Sequence, residues 1–341
     1  MSIDPAVWFP AVRAHSGADV FTERLCAALD ERGIRAAMTW LPLRAEYAPW
    51  TVPVPRPPSW ANIVHINSWL PPRFVPKHLP LVVTLHSCVH DPALRPYKTK
   101  MQAAYHRHWI SRIERSNIRR AQRVVAVSSY TARMAEKAFG ISGIEIIYNG
   151  VDCERFVPAE RKAPNQPFRL LYVGNWSRRK GVDLLGSILE GLGKGFVLHY
   201  TSDRGGQESR FSLPKNSQNL GRLTRDQLVR AYQEADALLF PSRLEGLPLV
   251  VAEAMACGLP VITTKISALS EVVADGLTGI LCPIDDVHAF VKAARTLATD
   301  LQLWQQMRFH AVNRVRERFA EVIMVNAYAE LYAGILRRGS A

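Results

Sequence analysis

The chain has 341 residues, 48% of them hydrophobic and 21% charged, and a formal net charge of +13. That length suits two domains of ordinary size, and that apolar content excludes a disordered chain. No apolar run approaches the length of a membrane-spanning helix, and a basic surface favours partners that carry phosphate: nucleic acid, anionic lipid or a nucleotide.

The N-terminal stretch "MSIDPAVWFPAVRAHSG" lacks a basic segment followed by an apolar one, so no signal peptide is read. Cys26, Cys88, Cys153, Cys257 and Cys282 form no C-x-x-C pair, which argues against a disulfide framework or a zinc site and for a reducing, cytoplasmic setting. The apolar runs "AVWFPAV", "RAAMTWL", "NIVHIN", "LVVTLH", "RVVAVS" and "IEIIYNG" precede residue 151, and "RLLYVGN", "FVLHYTS", "ALLFPS", "PVITT" and "GILCP" follow it. Rich in Val, Ile and Leu and alternating with helical patterns, they predict an α/β protein with parallel sheets covered on both faces. In open sheets of this kind ligands sit at the C-terminal ends of the strands, and with two such domains the expected site is the cleft between them.

In chain order, Gly17 of "HSGADVFTERLCAALDERG" stands in a loop before a helix. His86 closes the strand "LVVTLHS", with His65 and His90 as nearby alternatives. Between 98 and 123, "KTKMQAAYHRHWISRIERSNIRRAQR" repeats Met101, Tyr105, Trp109 and Ile113 every four residues among many Lys and Arg. Such a helix either lies on an anionic membrane, aromatic rings at headgroup depth, or packs its stripe on its own domain with the charges solvated. The polar, proline-bearing "VPAERKAPNQP", 157–167, predicts a linker. "GNWSRRKG" then links a strand to a helix and brings Arg179 and Lys180, which can pair with a diphosphate or form a solvated turn.

The stretch "EGLPLVVAEAMACGLPVITT", 245–264, places Glu245 before a helix and Glu253 within it, among Leu249, Val250, Val251, Ala252, Ala254 and Met255. Pro248 suits a first helical position and Gly258 the position past the helix end. A carboxylate buried among apolar residues needs a partner. It can clamp the vicinal diol of a ribose, or pair with a buried Arg for structural reasons. Asp285 and Asp286 in "DDVHAF" mark a helix start better than a metal site.

The E-x₇-E of "PSRLEGLPLVVAEAMACGLPVITT", together with "YNGVDCERFVP", "LYVGNWSRRKGVDLL" and "SEVVADGLTGILCP" in that order, resembles the retaining glycosyltransferases of family 4, glycosyl transferases group 1. The resemblance covers most of the chain and extends to hexosyltransferases of bacterial lipopolysaccharide and envelope glycans. It implies the GT-B fold, two Rossmann-like domains facing a cleft: 1–158 for the acceptor, 159–318 for a nucleotide-sugar, and 319–341 as a helix crossing back to the first. It implies His86, Glu245, Arg179 and Lys180 as catalytic residues. Donor contacts would come from Gly17, Arg179, Lys180, Arg222, Leu223, Glu245, Gly246, Leu247, Pro248, Leu249 and Glu253, with Arg222 and Leu223 in "NLGRLT" meeting the base. Where many members carry Arg directly after the first Gly of the phosphate loop, this chain has Asn175, and Arg179 takes that role. Only one Gly remains of the usual pair at Gly17.

No metal and no other cofactor is expected. The implied partners are a nucleotide-sugar donor, a glycan or lipid-linked acceptor and, through 98–123, an anionic membrane surface on the cytoplasmic side of the inner membrane, but not nucleic acid. Three other readings stand beside this one. The charge alone suits a nucleic-acid-binding protein, although that leaves Glu245 and Glu253 unexplained. An NAD-dependent enzyme lacks its G-x-G-x-x-G after a strand. A GT-B phosphorylase or epimerase would share the fold but release different products.

Overall fold

The computed structural model describes residues 4–14, 16–202, 211 and 213–339. It divides into two units, Met1–Asn149 with Val322–Ala341 (unit 1) and Gly150–Glu321 (unit 2). Unit 1 begins β1 (Val7–Val12), α1 (Gly17–Asp30), β2 (Ala36–Leu41), α2 (Arg44–Tyr47), β3 (Ile63–Asn67) and β4 (Leu81–Leu85). It continues with α3 (Lys100–Tyr105), α4 (Ser111–Arg120), β5 (Arg123–Ala126), α5 (Ser129–Phe139) and β6 (Glu145–Ile146). Unit 2 opens with β7 (Phe168–Tyr172), α6 (Val182–Leu192), β8 (Phe196–Tyr200), β9 (Ser217–Asn219), α7 (Arg225–Glu234) and β10 (Ala237–Phe240). It closes with α8 (Leu249–Ala256), β11 (Val261–Thr264), α9 (Leu269–Val272), β12 (Gly279–Cys282), α10 (Val287–Thr299) and α11 (Leu301–Arg318), before α12 (Glu321–Gly339) completes unit 1.

Each unit holds one six-stranded sheet, ordered β2-β1-β3-β4-β5-β6 and β12-β11-β10-β7-β8-β9, and every paired strand runs parallel. The fold is therefore the expected α/β arrangement of two Rossmann-like sheets. The central strands β4 and β10 are buried along their whole length, which is why they are runs of Leu, Val, Ala and Phe, broken only by Thr84, rather than alternating sequences. Strand β9, "SQN", is short, polar and at the sheet edge, so no apolar pattern announces it. The strand order reverses between β1 and β3 in unit 1 and between β7 and β10 in unit 2. Loops leaving the C-terminal ends of those strands diverge there and open a crevice.

The C-terminal helix belongs to the core of unit 1: Met324, Val325, Tyr328, Leu331 and Tyr332 pack with Val7, Phe9, Phe21 and Leu25. His65 lies beneath it, bonded at 2.7 Å to the Tyr332 hydroxyl and at 2.7 Å to the Thr84 hydroxyl. Burial pushes this imidazole down to about 3, so it stays neutral and supplies one donor and one acceptor to the two hydroxyls. His65 is thus a core residue.

Two expectations are revised. First, 98–123 is not one regular helix: a π-helical turn at His106–Ile110 joins α3 to α4 and shifts the face presented by the residues after it. Tyr105 and Trp109 pack with Val89, Ile110 and Ile113 inside unit 1, and only Met101 of the stripe is strongly exposed, at 84%. The stripe Tyr105-Trp109-Ile113 is therefore a packing face. Second, 157–167 is fixed to unit 2 rather than free. Arg161 meets the fully buried Asp236 at 2.5 Å, Asn165 donates its backbone N–H to the same carboxylate at 3.0 Å, and Arg308 holds the Ala159 carbonyl at 2.9 Å. The chain passes between the units at Asn149–Gly150 and again at Glu321–Val322.

Candidate active site

At the switch point of unit 2, the loop after β7 ends in a 3₁₀ turn, Arg178–Lys180, and the loop after β10 runs from Pro241 to the start of α8. These two loops are clasped. The Lys180 ammonium meets Glu245 Oε1 at 2.6 Å and lies 5.2 Å from the centre of the Phe240 ring. Ser242 donates its hydroxyl to the same Glu245 oxygen at 2.5 Å, and Arg179 donates to the Leu244 carbonyl at 2.6 Å while standing 3.8 Å from Glu245 Oε2. Glu245 is 7% exposed, a burial that a carboxylate tolerates because both oxygens face cations or donors. Arg178 points outward, its side chain 78% exposed.

Gly181 makes the close approach possible. Its φ is +72°, and a Cβ there would come within 2.0 Å of the Pro241 carbonyl oxygen. Gly181→Ala is expected to destabilise unit 2 by roughly 2–4 kcal/mol, combining left-handed strain with a backbone clash. Urea unfolding would show it, whereas an unchanged midpoint would mean that the two loops can separate freely.

A second layer holds the clasp, built around Arg243 and Asp183, to which the sequence assigned no role, and Asp285 serves it rather than the start of α10, which Asp286 caps. Arg243, 7% exposed, grips Asp183 through two nitrogens at 2.7 and 3.0 Å and Asp285 through Nε at 2.6 Å. It also donates to the Arg178 carbonyl. The Glu245 N–H donates to Ser267 Oγ at 3.0 Å. Ser267 (φ 51°) and Asp285 (φ 62°) are the only non-glycine residues with positive φ among the described residues, and both hold this loop. Strained backbone of this kind persists where the surroundings over-determine it, as they do at functional sites.

Pro248 precedes α8 as its N-cap rather than opening its first turn, and Gly258, at φ +72°, lies just past the helix as its spacing predicts. Gly246, Leu247 and Leu249 line that helix start, half-buried. Glu253 is 7% exposed on α8. Its carboxylate pushes up the neighbouring Tyr232 phenol and Cys257 thiol, each already raised mainly by burial, the thiol to about 12. Tyr232 lies fully buried on α7 with its hydroxyl beside the Glu253 carboxylate. Arg222 and Leu223 follow the edge strand β9, outside the clasp, after Gly221 at φ +68°, whose N–H donates to the Asn219 side chain at 2.7 Å.

Over residues 167–300 the chain matches the model for glycosyl transferases group 1, and over 59–155 that for Glycosyltransferase Family 4. The chain belongs to the family 4 glycosyltransferases. This glycosyltransferase is 27% identical over 307 residues to a glycogen synthase of Mycobacterium tuberculosis, an alignment covering 82% of this chain and 70% of the relative. It is 28% identical over 244 residues to the lipopolysaccharide core biosynthesis mannosyltransferase LpsB of Rhizobium meliloti, covering 64% and 68%. In fold it resembles the sucrose-phosphate synthase of Thermosynechococcus elongatus, with a TM-score of 0.79 at 17% identity over 98% of this chain and 100% of the other. It also resembles Anabaena Alr3699/HepE solved with UDP and glucose, with a TM-score of 0.72 at 17% identity over 97% and 100%. The two sheets of the glycosyltransferase are those of the GT-B fold.

In unit 1 of the glycosyltransferase, the loops after β1, β3 and β4 carry a second polar group. His86 Nε2 lies 2.8 Å from the Asn67 side-chain oxygen, and burial pushes the imidazole down to about 4, partly offset by Asp19. Asp19, in the first turn of α1, accepts from the Ala14 N–H and the Ser16 hydroxyl, both at 2.8 Å. Gly17 has nothing within 4 Å of an added Cβ, so its side is open, but a phosphate arriving there would meet the Asp19 charge. His90 serves a separate network, 2.8 Å from the fully buried Glu114, whose other oxygen accepts from Ser68 at 2.8 Å. Arg243 and Asp19 escaped the sequence reading for one reason: each acts on a neighbour distant along the chain. The signal for Arg243 is a charged residue in an otherwise buried loop, whereas Asp19 follows the exposed Ser16 and Gly17 at a helix start.

Proposed function

We propose that the enzyme moves a hexose from a nucleotide-diphospho-sugar to a glycan or lipid-linked acceptor, with retention at the anomeric carbon and without a metal. The pathway assigned is assembly of a bacterial envelope polysaccharide or lipopolysaccharide. The observation that carries this reading is the pairing of the half-buried cations Lys180 and Arg179 with the buried Glu245 at the switch point of unit 2. As the anomeric carbon–oxygen bond breaks, its electron pair passes to the diphosphate, and the two cations offset the growing charge. The acceptor hydroxyl then bonds to that carbon on the face the diphosphate leaves and gives its proton to the departing phosphate oxygen. Glu253 holds the ribose. Glu245 and the backbone of Gly246, Leu247, Pro248 and Leu249 orient the sugar, and Arg222 and Leu223 meet the base. His86, neutral at cellular pH because burial holds it near 4, and Gly17 keep the roles the family resemblance implies, at the reacting carbon and the donor phosphates, the second of these against the charge of Asp19.

Names among the relatives support the envelope setting, and the UDP and glucose of the HepE structure support a nucleotide-sugar donor. Access to a lipid-linked acceptor is assigned to peripheral contact with the cytoplasmic face of the inner membrane, and no helix among the described residues is long and apolar enough to cross a membrane. A thermal-shift panel of UDP, GDP, ADP and TDP, with and without magnesium, tests the donor site. Selective stabilisation by one nucleotide, unchanged by magnesium, is the expected result. No shift with any of them, or a shift that requires magnesium, overturns this reading, and release of free sugar phosphate would make the protein a phosphorylase.

A further inference from the structure

The surface left over after the packed stripe is assigned to the core is unusual in both polarity and charge. The segment after β2 exposes Leu43 (50%), Tyr47 (55%), Trp50 (67%) and Val54 (51%), and α3 exposes Met101 (84%). The two segments form one surface. Tyr105 donates its hydroxyl to the Glu46 carboxylate at 3.1 Å, and Trp109 donates its indole N–H to the Glu46 carbonyl at 2.9 Å. Glu46 is the only acid in 42–57, there is none in 92–113, and its carboxylate is turned inward to Tyr105. The same two segments carry the exposed cations Arg44, Arg56, Lys100, Arg107 and Arg112. A soluble surface seldom gathers this many large apolar side chains, and an acid-free rim of cations gives the patch one sign of charge.

We propose that this patch, centred on Tyr47 and Trp50, docks the protein on an anionic lipid bilayer, with the aromatic rings at headgroup depth and the cations on the lipid phosphates. The inference rests on the peripheral-membrane reading above but moves the contact from the four-residue stripe of 98–123 to the segment after β2. The mixture of aliphatic and aromatic groups with cations suits the interface of a bilayer, where apolar tips are buried and charges stay hydrated. A nucleic-acid groove would instead interleave cations with stacking rings and would have no use for Leu43, Val54 and Met101. The loop leaves the C-terminal end of β2, the end of the sheet at which unit 1 carries His86, so docking there would bring the bilayer to the side of unit 1 where ligands bind.

Vesicle flotation with the full chain tests the proposal, using phosphatidylcholine vesicles with and without phosphatidylglycerol. Wild type is expected to float with the phosphatidylglycerol vesicles alone. A Tyr47→Ser/Trp50→Ser variant should lose at least about tenfold in partitioning, the scale set by burying one aromatic side chain. Phe309→Ser, which removes a 63% exposed ring from unit 2, should partition as wild type does, and Lys100→Glu/Arg107→Glu should weaken binding most at low salt, the deficit shrinking as salt rises. Wild type that ignores both vesicle types overturns this proposal and the membrane reading while leaving nucleotide stabilisation intact. Equal partitioning by the Tyr47/Trp50 variant overturns the patch alone. Duplex DNA that displaces the vesicles overturns it in favour of nucleic acid.

Discussion

Lys180→Ala is expected to lower the single-turnover rate of sugar transfer by about 10²–10³-fold, the usual loss when one pre-set charge-stabilising group is removed from a water-poor site. The Lys180 side chain is 15% exposed, held between the Phe240 ring and Glu245, so its ammonium is fixed before the donor arrives and spends nothing on reorganisation. Part of the loss will come from Glu245, left with the Ser242 hydroxyl and a more distant Arg179. A Lys180→Ala/Glu245→Gln pair separates the two contributions. If the missing cation is what matters, the double variant stays as slow as the single one. If the unpaired carboxylate is what matters, the double variant recovers. A Lys180→Ala rate within about fivefold of wild type would remove Lys180 from the proposed role.

The second large effect concerns Glu253. Glu253→Ala is expected to weaken nucleoside-diphosphate binding by roughly ten- to a hundredfold, the range for hydrogen bonds to a charged group. The decisive comparison pairs the bound nucleotide with its 2′-deoxy analogue by calorimetry. Wild type should prefer the ribonucleotide, and Glu253→Ala should bind both alike, because the carboxylate that tells them apart is gone. If the variant keeps the preference, the ribose is held elsewhere and Glu253 is a structural acid packed against Tyr232 and Cys257.

Much of this arrangement is visible in the sequence because the physics behind it is local. The buried strands β4 and β10 had to be apolar on both faces, so "LVVTL" and "ALLF" stand out as strands without help from their neighbours. Edge strand β9 did not, because a polar three-residue strand differs from a loop only by its pairing with β8. The same division separates the site residues. Arg179, Lys180 and Glu245 lie in loops whose sequence resembles a known pattern, and the fold brings them within hydrogen-bonding range. Arg243 lies between Ser242 and Glu245 and looks like an ordinary loop cation until Asp183, from the first turn of α6, and Asp285, from the loop before α10, close around it. The stripe of 98–123 shows the opposite error. Its four-residue spacing is real, but a π turn and the packing of Val89 decide that it faces inward.

One consequence follows from the place of α12 in unit 1. The strands of unit 1 precede unit 2 in the chain, but Tyr328 and Tyr332, which cover His65 and Thr84, are made after it. Until then His65 has only the Thr84 hydroxyl, and Val7, Phe9, Phe21 and Leu25 lie under a missing lid. During synthesis unit 2, a continuous stretch of chain, can finish folding first, while unit 1 waits with its apolar face uncovered. A released chain ending after residue 321 would therefore have one completed domain and one that chaperones still recognise.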